Sequence, residues 1–497
     1  MPLLLGYDLG SSSVKVALLD AATGQGVGSA LSPETEMPIA TPRAGWAEQD
    51  PARWWQEAAA ATRKLQAATG FKPGDVAGIG ISYQMHGLVC LDNAGEVVRP
   101  SIIWCDSRAV ETGARGVDAL GADLCLARLL NLPGNFTAAK LAWVREHEPQ
   151  AFARVARILL PGDWLAFRMT GRAATTASGL SEGILWDFAA HAPSPDVLAW
   201  AGLRPDQLGD LVPTFGPQGT LTAAAAAELG LLAGTPVCYR AGDQPNNAFS
   251  LGAIHPGDVA ATAGTSGVVY AVGDRPAGDA AQRWNVFAHV NHAKDAPRYG
   301  ALLCLNGAGI TYSWLRKVMA AGGAVPGYAA LDALAAAAAP GSDGLTCLPF
   351  GNGAERMLGN RTPGGLLAGI DFNRQGPGEV LRAALEGVAF ALAHGLLGMR
   401  EAGIPIASLK AGRANLFLSP LFRQTLATVA GVGVTLHSTD GALGAARGAG
   451  VGCGCFADLP AALAGLEVLG HDEPDPALAA PLQDAFGRWR AALARQD

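Results

Sequence analysis

Residues 241–272, AGDQPNNAFSLGAIHPGDVAATAGTSGVVYAV, set a lone carboxylate, Asp243, a short distance ahead of a hairpin rich in glycine and hydroxyl side chains. Asp243 follows the strand-like run 235–239 and is bracketed by Gly242 and the turn-forming Pro245-Asn246-Asn247, which predicts a side chain standing at a strand end. A second strand over 258–263 turns through Gly264-Thr265-Ser266-Gly267 into a third over 268–272. Glycines let the backbone aim its N–H groups at an anion, and the two hydroxyls add donors. Such a turn can hold phosphate without a P-loop lysine.

The same device opens the chain. LLLGYDLGSSSVKVALLD, residues 3–20, reads strand, turn through Gly10-Ser11-Ser12-Ser13, strand, with Asp8 just before the turn and Lys15 just after it. Two copies predict two related halves, and 497 residues exceed what one hydrophobic core supports. A content of 49% hydrophobic and 16% charged residues excludes disorder, and a net charge of -7 argues against a nucleic-acid surface. The apolar start, residues 1–5, is too short for a signal sequence, and the Ala/Leu-rich runs are broken by Gly, Pro or charge before about 18 residues. The expectation is a cytoplasmic protein with no membrane partner. Eight cysteines include no CxxC pair; the closest two, Cys453 and Cys455, face opposite ways if that segment is extended. They read as reduced core thiols, with metal binding the lesser reading.

Between the hairpins, Asp50-Pro51 supplies an N-cap and first-turn proline for a helix through Trp54, Trp55 and Leu65 that ends before Gly70. The buried strand 77–82 then delivers Tyr83-Gln84-Met85-His86-Gly87 to a sheet edge, where open α/β sheets bind ligands. His86 reads equally as a satisfied structural residue or as a ligand. Residues 161–170 form a proline-started helix, and 175–182 a hydroxyl-rich loop assigned to packing. In the second half, a strand at 365–370 precedes a helix from 379 to about 401, with an apolar face through Leu381, Leu385, Val388, Leu392 and Leu396.

The paired hairpins resemble those of the sugar kinase, actin and heat-shock-chaperone superfamily. YQMHG (83–87) resembles the sugar-binding turn of the xylulokinases among the FGGY carbohydrate kinases, whereas glycerol kinases carry an Arg-Glu pair there. IIWCDSR (102–108) is similar to that family's Trp-x-Asp-x-Arg stretch, and FTAAKLAW (136–143) to its first signature, with Asn135 where a glycine, serine or aromatic is usual. GNGAERM (351–357) resembles its Gly…Glu-Arg loop, with Thr362-Pro363 displaced by an insertion. GLLAGI (365–370) with EVLRAALE (379–386) resembles the second signature. KAGRAN (410–415) stands where a GGGA adenosine loop is usual, and GALGAAR (441–447) resembles the closing helix.

The resemblance implies an α/β fold of two RNase H-like (actin-like ATPase) domains with a central cleft, 1–252 and 253–497. Near the boundary, Gly252 and Pro256-Gly257 suit a hinge. It implies ATP and Mg²⁺ as cofactors, with Asp243 the general base and Asp8 and Asp243 the metal residues, although Asp8 alone reads equally as a cap of its own turn. The sugar falls to Met85, His86, Asp243 and Gln244. The nucleotide falls to Ser11, Ser12, Ser13, Lys15, Gly264, Thr265, Ser266, Gly412 and Asn415. The implied reaction is ATP-dependent phosphorylation of D-xylulose to D-xylulose 5-phosphate; the partners are a small-molecule ketose and ATP, with a homodimer an open expectation. Gly242-Asp243-Gln244 also resembles glycerol kinases, so another FGGY ketose or polyol kinase (ribulose, fuculose, rhamnulose or glycerol) stays open. A sugar-binding regulator without catalysis is a third reading, against which Asp8 and Asp243 count.

Overall fold

The computed structural model describes residues 2–320 and 323–496. Its contacts divide the chain into two compact units. The first is Met1–Gly252 with Phe287–Tyr299 and Thr439–Leu466; the second is Ala253–Val286 with Gly300–Ser438 and Glu467–Asp497.

The first unit is built on a six-stranded mixed sheet in the order Phe215–Thr220, Pro236–Gly242, Val76–Tyr83, Leu3–Leu9, Val14–Asp20, Gly26–Ser32. The middle strands Leu3–Leu9, Val76–Tyr83 and Pro236–Gly242 run parallel, and the outer pairs are antiparallel. One face is covered by the helix Pro51–Thr69, whose Trp54 and Leu65 are fully buried, and by Trp164 of the helix Pro161–Thr170. Asp50 caps the first of these by accepting from Ala52 N at 2.9 Å, and Gly70 ends it at φ 69°.

The other face carries the helix Gly441–Gly452, and here small residues decide the packing. A Cβ on Gly6 would stand 1.9 Å from the Ala442 carbonyl oxygen, and one on Gly80 2.0 Å from that of Ala445. The helix backbone therefore rests directly on the strands. Its Gly448 does the same against the Tyr239 ring.

The second unit repeats the plan. Its mixed sheet runs Asn285–Ala288, Tyr299–Leu305, Gly267–Gly273, Gly257–Ala263, Ile406–Gly412, Val434–His437, Val468–Asp472. As in the first sheet, a hairpin is followed by two further parallel strands and an antiparallel edge. The helix Pro377–Glu401 is long and apolar enough to cross a membrane by length and composition, which corrects the expectation that no stretch is. It is instead the buried core of this unit, packed against the helices Tyr328–Ala337 and Pro420–Ala430. Its Glu386 accepts from Gly341 N at 3.0 Å and Ser342 Oγ at 2.9 Å and pairs with Arg382 at 2.7 Å, so this buried charge pair is held by hydrogen bonds to both carboxylate oxygens.

Four local expectations change. Pro245-Asn246-Asn247 is not a turn but lies inside the helix Asp243–Ser250, because proline is tolerated in a first turn, where no intrahelical donor is needed. Residues 177–182 are helical rather than a loop, with Thr176 accepting from Gly179 N at 3.0 Å as N-cap. Lys410 lies within the strand Ile406–Gly412, paired with Asp258 at 3.0 Å, so only the end of KAGRAN is a loop. Cys453 and Cys455 do not diverge: Gly454, at φ 79°, turns the chain so that their sulfurs approach to 3.4 Å.

Candidate functional site

In the first unit the strand register brings the expected carboxylates together. Asp8 lies opposite Ser82 on Val76–Tyr83, and Ser82 lies opposite Ala241, two residues before Asp243. Parallel strands end on the same side, so their C-terminal ends present Asp8, the turn after Tyr83, and Asp243 along one edge. Ser82 Oγ donates to Asp8 Oδ1 at 2.8 Å, and a Cβ on Gly441 would meet Asp8 Oδ2 at 2.3 Å. Only glycine at the start of the Gly441–Gly452 helix leaves room for that carboxylate.

The charges there are crowded. Burial raises the Asp8 carboxyl above its ordinary value; Asp440 pushes the same way, while the Ser82 hydroxyl and Lys15 pull it down. Asp243 is raised to about 7, first by burial and then by Asp8, against hydrogen bonds from Gln244. Lys15 is held by Asp440 at 2.6 Å, and Asp440 also caps its helix by accepting from Leu443 N at 2.9 Å. Asn246 ties the Asp243 helix to the same place, donating to the Gly441 carbonyl at 2.9 Å.

Met85 and His86 sit beside this edge. A Cβ on Gly242 would fall 2.6 Å from Met85 Cγ and 2.4 Å from Glu182 Oε2, so Met85 packs on the peptide directly before Asp243. His86 adopts φ 61°, a conformation that a non-glycine residue keeps only where its surroundings hold it. Its Nδ1 is 2.9 Å from the Glu182 carbonyl, its ring meets Phe136 edge-on at 4.7 Å and Phe287 at 5.4 Å, and its own carbonyl accepts from Lys140 Nζ at 2.8 Å. Lys140 also donates to the Ile103 carbonyl at 3.0 Å, and burial lowers its ammonium to about 7. The turn is thus clamped from both sides. Gln84 is buried, reaching Gln49 Oε1 at 3.3 Å, and Gln244 remains partly exposed beside Asp243.

Ser11, Ser12 and Ser13 form the first hairpin turn, closed by Gly10 N donating to the Ser13 carbonyl at 3.0 Å. The exposed Trp104 donates from Nε1 to Ser11 Oγ at 3.3 Å. Behind it, Asp106 and Arg108 of IIWCDSR are buried in an ion network: Arg108 pairs with Asp106 and with Glu48, both at 2.7 Å, and stacks on Trp46 at 3.8 Å. Asn135 donates to the Asp106 carbonyl, so it serves this loop.

In the second unit, Gly264, Thr265 and Asn415 line a cavity of about 460 Å³ with Tyr312, Tyr328 and Asp332. The hairpin supports the N-terminus of the helix Gly309–Met319: Gly309 N donates to the Gly264 carbonyl at 2.8 Å and Ile310 N to that of Thr265 at 3.2 Å. Tyr312 donates to Asp332 Oδ1 at 2.8 Å and stacks on Tyr328 at 6.0 Å. Asn415, at φ 54°, turns back over Gly264. Ser266 is exposed at the hairpin tip, and Gly412 ends its strand outside the cavity lining. A cavity of about 470 Å³ on the other side of that helix, lined by Trp314, Leu348 and Leu366 among others, carries no charged side chain.

Comparison with known proteins assigns the chain. A sequence model for the N-terminal domain of the FGGY family of carbohydrate kinases matches residues 3–250, and one for the C-terminal domain matches 259–453. The chain belongs to the FGGY family of carbohydrate kinases. It is 32% identical to the xylulose kinase of Klebsiella pneumoniae, over 97% of this chain and 98% of that one. To the xylulose kinase of Escherichia coli (strain K12) it is 32% identical, over 90% and 88%. The crystal structure of xylulose kinase from Rhodospirillum rubrum superimposes with a TM-score of 0.87 at 28% identity, covering 99% of this chain and 98% of that one. Among FGGY kinases this chain is thus matched end to end, with its two-domain α/β fold of two mixed sheets shared.

Reading the sequence missed several residues around these groups. Glu182, assigned to packing, is 1% exposed, and its carboxyl oxygens lack a hydrogen bond of good geometry among the described residues. Burial holds it well above the usual carboxylate range against the Tyr83 hydroxyl, with Asp243 and Asp163 adding to the rise. Burial thus favours the protonated form of this carboxyl, which lies behind Met85 and Gly242. Lys140 was visible within FTAAKLAW, but its target, the carbonyl of His86, was not. Phe287 and Asp440 carried no local signal, because each reaches its partner from a distant part of the chain.

Proposed function

We propose that this FGGY kinase transfers the γ-phosphoryl group of ATP to D-xylulose, forming D-xylulose 5-phosphate. The observation that carries the proposal is Met85 packed on Gly242, which sets the Met85-His86 turn beside an Asp243 carboxyl raised to about 7. A base of that strength, partly buried and on the same sheet edge as the Met85-His86 turn, suits removal of a proton from a bound sugar hydroxyl. The end-to-end relation to xylulose kinases supports the sugar named.

The residues take these parts. Asp243 accepts the hydroxyl proton as the oxygen attacks, and Gln244 orients the sugar beside it. Met85 covers the carbon chain while the His86 ring bonds hydroxyls. Lys140 fixes the His86 carbonyl and so the aim of the ring. Gly264 and Thr265 bind nucleotide phosphate, and the cavity with Tyr312, Tyr328 and Asn415 takes the nucleoside. Ser11, Ser12 and Ser13 offer further donors to phosphate. Lys15, held by Asp440, acts by charge on Asp8.

Asp8 and Asp243 form a donor set that fits Mg²⁺: two hard carboxylate oxygens, with water and phosphate oxygens left to complete the shell. Each carboxyl is raised partly by the negative charge near it, so a cation there relieves a repulsion the fold has built. When bound, the ion neutralises charge on the phosphate oxygens.

A coupled ADP-release assay over pentuloses, hexuloses, glycerol and the corresponding aldoses tests the reading. The highest kcat/KM is expected for D-xylulose. A higher value for another ketose or for glycerol replaces the sugar, and no ADP release with any of them removes the catalytic reading.

A further inference from the structure

Three thiols meet where the Gly441–Gly452 helix ends. Cys453 follows its last residue, with its N–H donating to the Ala449 carbonyl at 2.8 Å. Gly454, at φ 79°, folds the next residue back, and Cys455 Sγ lies 3.4 Å from Cys453 Sγ. Cys238, on the strand Pro236–Gly242, is near enough to Cys453 to interact with its thiol. Cys238 is buried at 1% exposure, whereas Cys453 and Cys455 are half-buried and open to a small reagent.

The three are unequal. Cys453 Sγ donates to the Gly450 carbonyl at 3.8 Å and lies 3.4 Å from Cys455 Sγ, and its neighbours Cys238 and Cys455, against burial, lower it to about 6. Cys455 is pushed up to about 11, and Cys238 is pushed up by its bond to Cys453 and by burial. Elsewhere burial pushes Cys90 and Cys347 up to about 12 and Cys125 to about 11, and raises Cys105. Nucleophilicity follows the thiolate, so Cys453 stands apart from these thiols.

We propose that Cys453 and Cys455 form a reversible dithiol site for hydroperoxides, with Cys453 the attacking and Cys455 the resolving sulfur. The Cys453 thiolate attacks one oxygen of hydrogen peroxide. The O–O bond breaks, hydroxide leaves and takes a proton to become water, and the sulfur is oxidised to a sulfenic acid. Cys455 then attacks that sulfur; the S–O bond breaks and a second water leaves with the Cys455 proton. In sum, two thiols and one peroxide give one disulfide and two waters, and a small thiol reverses the step by exchange. The sulfurs must close by about 1.4 Å to reach disulfide length, a movement that a glycine between them permits. Cys238 supplies a hydrogen bond to the thiolate and stays a thiol.

The test uses the full-length, reduced protein under native conditions. Limiting iodoacetamide at about pH 7, read by peptide mass spectrometry, should label Cys453 about tenfold faster than Cys105 or Cys455. Stoichiometric hydrogen peroxide should remove two hydrogens from the peptide that holds Cys453 and Cys455, and dithiothreitol should restore them. In Cys455→Ser, dimedone should trap a sulfenic acid at Cys453; in Cys453→Ser, neither product should form. Circular dichroism confirms that both variants fold, and the wild-type labelling order stands by itself if either does not. Equal labelling of the three thiols, a Cys238–Cys453 linkage, or oxidation that appears only after unfolding would overturn the proposal.

Discussion

The two hairpins share glycine and hydroxyl composition and the same place in their sheets, yet their surroundings differ. Around Ser11 to Ser13 the backbone is already occupied: the Ser11 carbonyl accepts from Gln49 Nε2 at 2.6 Å and the Ser12 carbonyl from Met37 N at 2.7 Å. That turn is anchored beside a charge cluster of Asp8, Lys15 and Asp440. Around Gly264 to Gly267, Thr265 and Ser266 stay exposed, and the neighbouring elements recede to leave a cavity walled by Tyr312 and Tyr328. One turn motif therefore serves two ends. Where it abuts partly buried carboxylates it lies among charge, and where aromatic walls stand back it borders a cavity.

The largest expected effect removes the charge side of that contrast. Asp243→Asn keeps the shape but cannot take a proton, so kcat should fall by about 10²-fold or more with the sugar Kd little changed. Activity within about threefold of wild type would reassign the base.

The same carboxyl sets the pH dependence. With Asp243 raised to about 7, kcat/KM for the sugar should climb as pH rises through that value and then level off. Stability should move the other way. A raised carboxyl favours folding while protonated, so its contribution is present below the ordinary value near about 4 and is lost as pH rises through about 7. Asp243→Asn should therefore show a Tm advantage over wild type at about pH 8 that shrinks by about pH 5. A constant Tm difference across that range would refute the raised value.

A paired experiment separates the two regions. Asn tolerates φ near 61° better than Ala does, so His86→Asn removes the imidazole with less backbone strain. It should raise KM for xylulose by about tenfold and narrow the preference over glycerol, because one buried hydrogen bond to the sugar is lost. Thr265→Val should raise KM for ATP by a similar factor, about tenfold, through the lost hydroxyl. Each variant should leave the other substrate's KM within about twofold. Crossed effects would dissolve the assignment of sugar and nucleotide to separate regions.

The smallest effect is expected at Glu182. If burial keeps it protonated, Glu182→Gln replaces one neutral group by another, and kcat/KM should stay within about threefold. A loss beyond tenfold would show an ionised carboxylate there.

Much of this was legible along the chain. Asp50, Pro51 and Gly70 mark both ends of a helix by their own capping chemistry, and Gly264 to Gly267 mark a hairpin by theirs. Pro245-Asn246-Asn247 misled because a proline in a first helical turn and a proline in a tight turn look alike without the following residues' hydrogen bonds. Residues 177–182 misled because hydroxyl side chains fit a loop or, as with Thr176, a helix cap.

The sequence by itself determined the strands, the two glycine-hydroxyl turns, the carboxylates beside them and the family, because these rest on local periodicity, backbone conformation and motif order. Only the tertiary structure decided the chemistry of the groups. The strand register put Asp8 next to Asp243, and a helix from the end of the chain laid Gly441 on Asp8. Phe287 and Lys140 converged on His86, and Cys238 came to rest near Cys453. Burial and charge depend on which distant residues share a volume, and no local pattern in the chain encodes that.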